Sequence, residues 1–182
     1  MSIYIPGSGI SISNDQYVTP TGTYEGVILR SIPNGLLRLS SSALCYVSGS
    51  GPNIFGHALF LIAPGIGYVH AVEPGTHPVR FLPHDEYQRY MQESGKTSKK
   101  MLFVELPNKP RTATYIEQCL LIGYNWTPRH NCLTFCDAIL KAAESATELD
   151  SCMLPSTATK QVGAVTRPAH MHPWDAIGND DL

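Results

Sequence analysis

The stretch Gly123-Tyr124-Asn125-Trp126-Thr127-Pro128-Arg129-His130-Asn131-Cys132-Leu133-Thr134-Phe135-Cys136 reads as the end of one helix, a short polar loop and the start of a second helix. After Cys132, the residues Leu133, Cys136, Ile139, Leu140 and Ala143 recur at three- and four-residue steps, the spacing of a helix with one apolar face. Asn131 is a good N-cap residue, which makes Cys132 the first residue inside the helix. There, unpaired backbone N–H groups and the positive end of the helix dipole favour a thiolate. Such a setting can bring a thiol from about 8.5 down to roughly 3.5–7.5. Thr127 followed by Pro128 is a rival start; a helix beginning there would put Cys132 in the second turn and remove most of the dipole's effect. A cysteine at a helix start is also a common packing residue. Its role therefore depends on what the rest of the chain brings to it.

The chain of 182 residues suits one domain, 1–182, with a full core. A net charge of −2 gives no electrostatic case for nucleic acid or an anionic membrane, and no apolar run approaches the ~20 residues of a membrane span. Met1-Ser2-Ile3-Tyr4-Ile5-Pro6-Gly7 lacks the basic and long apolar regions of a signal peptide. The expectation is synthesis in the cytoplasm, with any action outside the cell needing a route independent of such a signal. The cysteines at 45, 119, 132, 136 and 152 form an odd set without a framework spacing, which fits reduced thiols.

The second informative stretch lies upstream. Gly56-His57-Ala58-Leu59-Phe60-Leu61-Ile62 and Tyr68-Val69-His70-Ala71-Val72-Glu73 flank Ala63-Pro64-Gly65-Ile66-Gly67, two apolar runs around a Pro-Gly turn and hence a β-hairpin. With the turn centred on Gly65 and Ile66, His57 lies across from Glu73 or Pro74 and His70 across from Phe60 or Leu61. A single strand histidine is more often structural than catalytic. A histidine with a second His and a Glu within cross-strand reach supplies the oriented base that an activated thiol requires.

Around these two stretches, residues 1–26 are rich in Gly, Ser, Thr and Pro and read as an irregular lead-in with one or two short strands. Val27–Arg30 and Leu36–Leu39 read as extended segments around Asn34-Gly35, the second being also able to open a short helix. Ala43–Val47 and Met101–Leu106 read as strands, and Pro83–Met91 as a short helix. Glu93–Lys100 reads as a solvated connector. Thr112 or Thr114 could cap a helix that turns Tyr115, Ile116, Cys119 and Leu120 inward and stops at Gly123. Residues 151–182 read as a mostly irregular tail. His170-Met171-His172 with Cys132 and Cys136 could be drawn as a zinc site, but the spacing fits no standard pattern; no metal or other cofactor is expected.

A helix ending in Gly123-Tyr124, a short loop and then Asn131-Cys132-x-x-Phe135 resembles the nucleophile segment of lecithin–retinol acyltransferase-like proteins, which belong with the circularly permuted NlpC-type papain-like hydrolases. Those families place a histidine upstream at a strand start in a Gly-turn hairpin, with a second polar residue on the return strand. Gly56-His57-Ala58-Leu59-Phe60 and His70 match these elements, and the order His, His, Cys is the permuted one. The likeness covers about residues 54–144. The chain departs from the eukaryotic acyltransferase motif in carrying Leu133-Thr134 where Glu-His usually follows the cysteine.

The resemblance implies an α+β fold, with an antiparallel sheet and the nucleophile helix packed against it. It implies attack by Cys132 on an acyl carbonyl, with His57 holding the thiolate as an ion pair and His70, or alternatively Glu73, orienting the imidazole. The backbone N–H of Cys132 would serve as oxyanion donor, and Trp126 and Asn131 would contact substrate. The expected activity is a thiol hydrolase cleaving an amide, a peptidase or amidase on the peptides of peptidoglycan, and a secreted antibacterial effector is one role that would fit. Acyl transfer or hydrolysis on a lipid or thioester is the alternative, and a binding module without chemistry is the third reading.

Overall fold

In the computed structural model, residues 2–19, 22–49, 56–72, 77–127, 131–149 and 160–161 are described. They form a mixed α+β structure built on one large antiparallel sheet. In chain order the elements are β1 (Ser2–Ile5), β2 (Ile10–Val18), β3 (Tyr24–Leu29), β4 (Ala43–Val47), β5 (His57–Ala63), β6 (Gly67–Ala71) and β7 (Val79–Pro83). These are followed by a 3-10 turn (His84–Glu86), α1 (Tyr87–Glu93), β8 (Ser98–Phe103), α2 (Lys109–Leu121), α3 (Cys132–Ala142), β9 (Thr147–Glu148) and β10 (Lys160–Gln161). Eight strands share one sheet in the order β1-β2-β3-β7-β6-β5-β4-β8, while β9 and β10 pair apart from it. Among the described residues no helix is long and apolar enough to cross a membrane.

The central strands are buried on both sides because the sheet is covered on both faces. Alternation along β5 sends Ala58, Phe60 and Ile62 into a core completed by Ile116, Cys119 and Leu120 of α2 and by Phe135, Cys136, Ile139 and Leu140 of α3. Leu59 and Leu61 point the other way, into a second core with Tyr68, Leu82, Tyr90 and Met91 under α1. A strand buried on both faces reads as a continuous apolar run, as Leu59–Ala63 does. The close approach of β6 to β7 requires glycine at 67: its φ is 146°, and a Cβ there would run into the carbonyl oxygen of Leu82 and the ring of Phe81.

Helix α3 starts where its cap dictates. The Asn131 side chain accepts from the backbone N–H of Leu133 (3.0 Å) and Thr134 (3.4 Å), so Cys132 is the first helical residue and the rival start at Thr127 is not used. Helix α2 ends before Gly123, whose N–H reaches Gln118 O (3.1 Å) at a φ of 133°. Its start lies earlier than Thr112 or Thr114, because Asn108 accepts from Arg111 N and Pro110 fits the first turn.

Other differences have equally local causes. The lead-in is more regular than its Ser/Gly content implies: Gly7 and Gly9, both with positive φ, turn β1 back onto the nine-residue β2. Leu36–Leu39 is neither strand nor helix but consecutive turns. They bury Leu36 and Leu39 without a ladder partner. Strand β8 begins at Ser98, inside the segment read as a connector, since residues 98–103 pair with β4 at the sheet's edge, where lysines are favoured. Residues 151–159 and 162–182, including His170 and His172, lie outside the described residues.

Candidate active site

His57 opens β5, and Val47 of β4 stands opposite it. The hairpin register differs from the sequence expectation by one residue: Val69, not His70, faces Phe60, and Tyr68 faces Leu61. An irregularity between Leu61 and Ala63 at the turn absorbs the extra residue, as a bulge does. His70 thereby lies on the α1 side of the sheet, diagonal to His57. A diagonal neighbour is still within reach of a long ring.

The two rings meet edge to face, with centroids 5.1 Å apart, and His57 Nε2 lies 2.9 Å from His70 Nδ1. His70 Nε2 in turn lies 3.0 Å from the backbone carbonyl oxygen of Glu25 in β3. This line has only one polarity when both rings are neutral. A carbonyl can only accept, so His70 carries its hydrogen on Nε2 and presents a lone pair at Nδ1. His57 must then donate from Nε2, which leaves the lone pair of its Nδ1 as the ring's basic site. Tyr90 of α1 closes the outer side of His70, its ring edge-on with a centroid distance of 5.3 Å.

Burial dominates the electrostatics. His70 is fully buried, and desolvation pushes its pKa down to about 3, with the Glu25 carbonyl opposing and the charges of Arg80 and Lys96 assisting. Arg80 faces it directly across the β6–β7 ladder. Burial, then His70, then Lys96 hold His57 well below the ordinary histidine range. Both rings are thus neutral at physiological pH, the condition under which the polarity above holds.

Cys132 approaches the same strand from the other face. Its half-buried side chain rests against the α2–α3 core, and its sulfur is served by the backbone N–H groups of Ala58, Leu133 and Cys132 itself. Ala58 follows His57 directly, so the thiol sits at the strand start that carries the imidazole. The Cys132 charge is also felt at Tyr90, the residue packed on His70. Among the described residues, no hydrogen bond joins Cys132 Sγ to the His57 ring. The lowered thiol pKa expected from the helix start is not what the structure shows. Burial raises it, against the three backbone N–H groups that favour the anion. Burial, which raises the Cys132 thiol and lowers the His57 imidazole, favours the uncharged form of each group, against the ion pair the resemblance implies.

The remaining residues read from the sequence fall as follows. Asn131 uses its side-chain oxygen as the helix cap. Trp126, expected to contact substrate, is half-buried and packed on the core. Tyr124 is joined to Thr134 (3.1 Å) and lies edge-on to Phe135 (5.3 Å), which ties it to the first turn of α3. Glu73, the alternative orienting residue, lies outside the described residues. Cys45, Cys119 and Cys136 are buried, with thiols pushed up by desolvation. Among the described residues no group of three His, Cys, Asp or Glu could hold a metal ion.

Sequence reading missed three contributors: the Glu25 carbonyl, Tyr90 and Lys96. A main-chain oxygen carries no side-chain signature, and Tyr90 and Lys96 acquire their roles only when α1 folds onto the sheet. Comparison of the chain with family models, with curated proteins and with solved structures gives no match.

Proposed function

We propose that the protein is a cysteine hydrolase of permuted papain-like architecture that cleaves an amide bond through an acyl-enzyme on Cys132. The observation that carries this reading is the line from the Glu25 carbonyl through His70 to His57, which leaves Nδ1 as the basic nitrogen of His57, at the start of the strand whose next residue, Ala58, turns its backbone N–H to the Cys132 sulfur. The order His57, His70, Cys132 and the placement of the cysteine at a capped helix start also support it.

The chemistry follows from the neutral resting pair. As the Cys132 sulfur attacks the substrate carbonyl, its proton passes to His57 Nδ1, and the resulting imidazolium keeps donating from Nε2 to His70. The oxyanion is met by backbone N–H at the start of α3. His57 then protonates the departing amine, the C–N bond breaks, and a thioester remains on Cys132. Water, deprotonated by His57, hydrolyses the thioester and restores the thiol. The Ala58 N–H beside the sulfur favours its anion as the proton leaves, while burial raises the cost of charging it before the substrate arrives.

The substrate class comes from the resemblance: a peptide amide of peptidoglycan. The experiment is amino-group release from purified peptidoglycan. Wild-type protein is expected to release new amines and Cys132→Ala to release none. Rapid turnover of phospholipid or acyl thioester with no action on peptidoglycan would transfer the assignment to acyl transfer on lipids.

A further inference from the structure

We propose that the forked end of the β4–β8 ladder binds a short, uncharged peptide segment in extended conformation, which completes a strand pairing that the chain itself breaks off. The site stands apart from Cys132 and His57 and does not depend on the catalytic reading.

The ladder runs in steady register from Cys45–Met101 through Leu44–Leu102 to Ala43–Phe103. The bond from Val104 N to Ser42 O (2.9 Å) carries it one step further. In the same register Ser41 would face Glu105, and Ser40 would face Leu106. The chain turns away instead. Ser41 has a φ of 54°, a left-handed conformation that costs energy in a residue with a Cβ and that tends to occur at functional sites. Ser40 gives its N–H to Arg38 O (2.8 Å) and so is not available to Leu106. Ser42 anchors the fork, its hydroxyl donating to Ile62 O (2.7 Å).

The two arms of the fork line a cavity of about 390 Å³. Leu39 and Val104, both buried, give it apolar walls. Leu106 lines it as well and is only 6 % exposed. Among the described residues, neither the N–H nor the carbonyl of Leu106 makes a hydrogen bond, although buried main-chain groups are almost always paired. Leu106 lies two residues beyond Val104, so in an extended chain its polar groups turn to the same side, toward the opposite arm. One residue of an antiparallel strand supplies the acceptor and the donor that this position lacks. Glu105 and Lys109, both exposed, line the cavity with opposite charges. A segment without net charge and with an aliphatic side chain therefore fits best. Val47 pairs with His57 at one end of β4, and Ala43 borders the fork at the other, about 13 Å away along the strand.

The test uses the wild-type full chain labelled with nitrogen-15 and two probes. The first is the tripeptide acetyl-Ala-Leu-Ala-amide; the second is its ester analogue, with oxygen in place of the leucine N–H. The tripeptide is expected to shift the amide resonances of Glu105 and Leu106 saturably and to leave those of His57 and Cys132 in place. The ester, which cannot donate to the Leu106 carbonyl, should bind at least about fivefold more weakly. Equal affinity of the two probes, or no saturable shift at Leu106, overturns the proposal, as do shifts centred on His57 and Cys132.

Discussion

Replacement of His57 by alanine is expected to lower amide cleavage by about 10²–10⁴-fold, the usual contribution of a positioned proton acceptor, with the fold retained because His57 is only half-buried at a strand start. His70 should matter through His57. His70→Ala removes the acceptor that fixes His57 Nε2 as the donor, and the ring is then free to adopt the tautomer with its hydrogen facing the thiol. Loss of an orienting group can approach ~10⁴ in kcat when the wrong tautomer wins. His70→Gln offers a sharper comparison. A glutamine oxygen can accept from His57 Nε2 and its amide can donate to Glu25 O, so this variant should keep far more activity than His70→Ala, with the deficit in kcat and not in KM. Equal activity of His70→Ala and wild type would remove His70 from the account.

The same burial that keeps the rings neutral makes stability depend on pH. Both histidines have folded values below the unfolded value near ~6.5. Below that pH the unfolded chain therefore binds more protons than the folded one. The stability is present in full above pH ~6.5 and is lost as pH falls, through the value of about 3 at His70. The loss over that span at His70 alone is on the order of 5 kcal/mol, a large share of the 5–15 kcal/mol typical of a domain. Urea midpoints measured from pH 7 to pH 4 should fall steeply for wild type and more gently for His70→Gln, which has no proton to take up at that position. Parallel curves for the two proteins would mean that His70 titrates normally and is not buried as a neutral ring.

What could be read from sequence was local. Asn131 caps its own helix two and three residues on, so the first helical position of Cys132 follows from side chains within one turn. The β5–β6 hairpin follows from two apolar runs and a Pro-Gly turn. The choice of His70 as the partner of His57 required the resemblance, because the register depended on an irregularity at Ala63 that no residue type announces. The thiol shift runs opposite to what the helix start implies for a related reason. A helix start favours the thiolate locally, but the enclosure of Cys132 by β5 and the α2–α3 core is a tertiary effect, and burial is the larger of the two here. Trp126 likewise sits in a polar loop yet packs on the core, since a large ring beside a helix start lowers its free energy by covering apolar neighbours. The Glu25 carbonyl and Lys96 are separated from the histidines by tens of residues and meet them only through sheet order and the α1 end.

The coupling of thiol to imidazole can be measured without any substrate. Iodoacetamide should modify Cys132, the half-buried cysteine, ahead of the buried Cys45, Cys119 and Cys136. At pH 7.5 the rate constant at Cys132, read by peptide mass spectrometry, should be lower in His57→Gln than in wild type by about tenfold or more, the effect of removing a general base that takes the thiol proton as the sulfur attacks. Equal rates in the two proteins would show that His57 does not take the Cys132 proton, and would contradict the account.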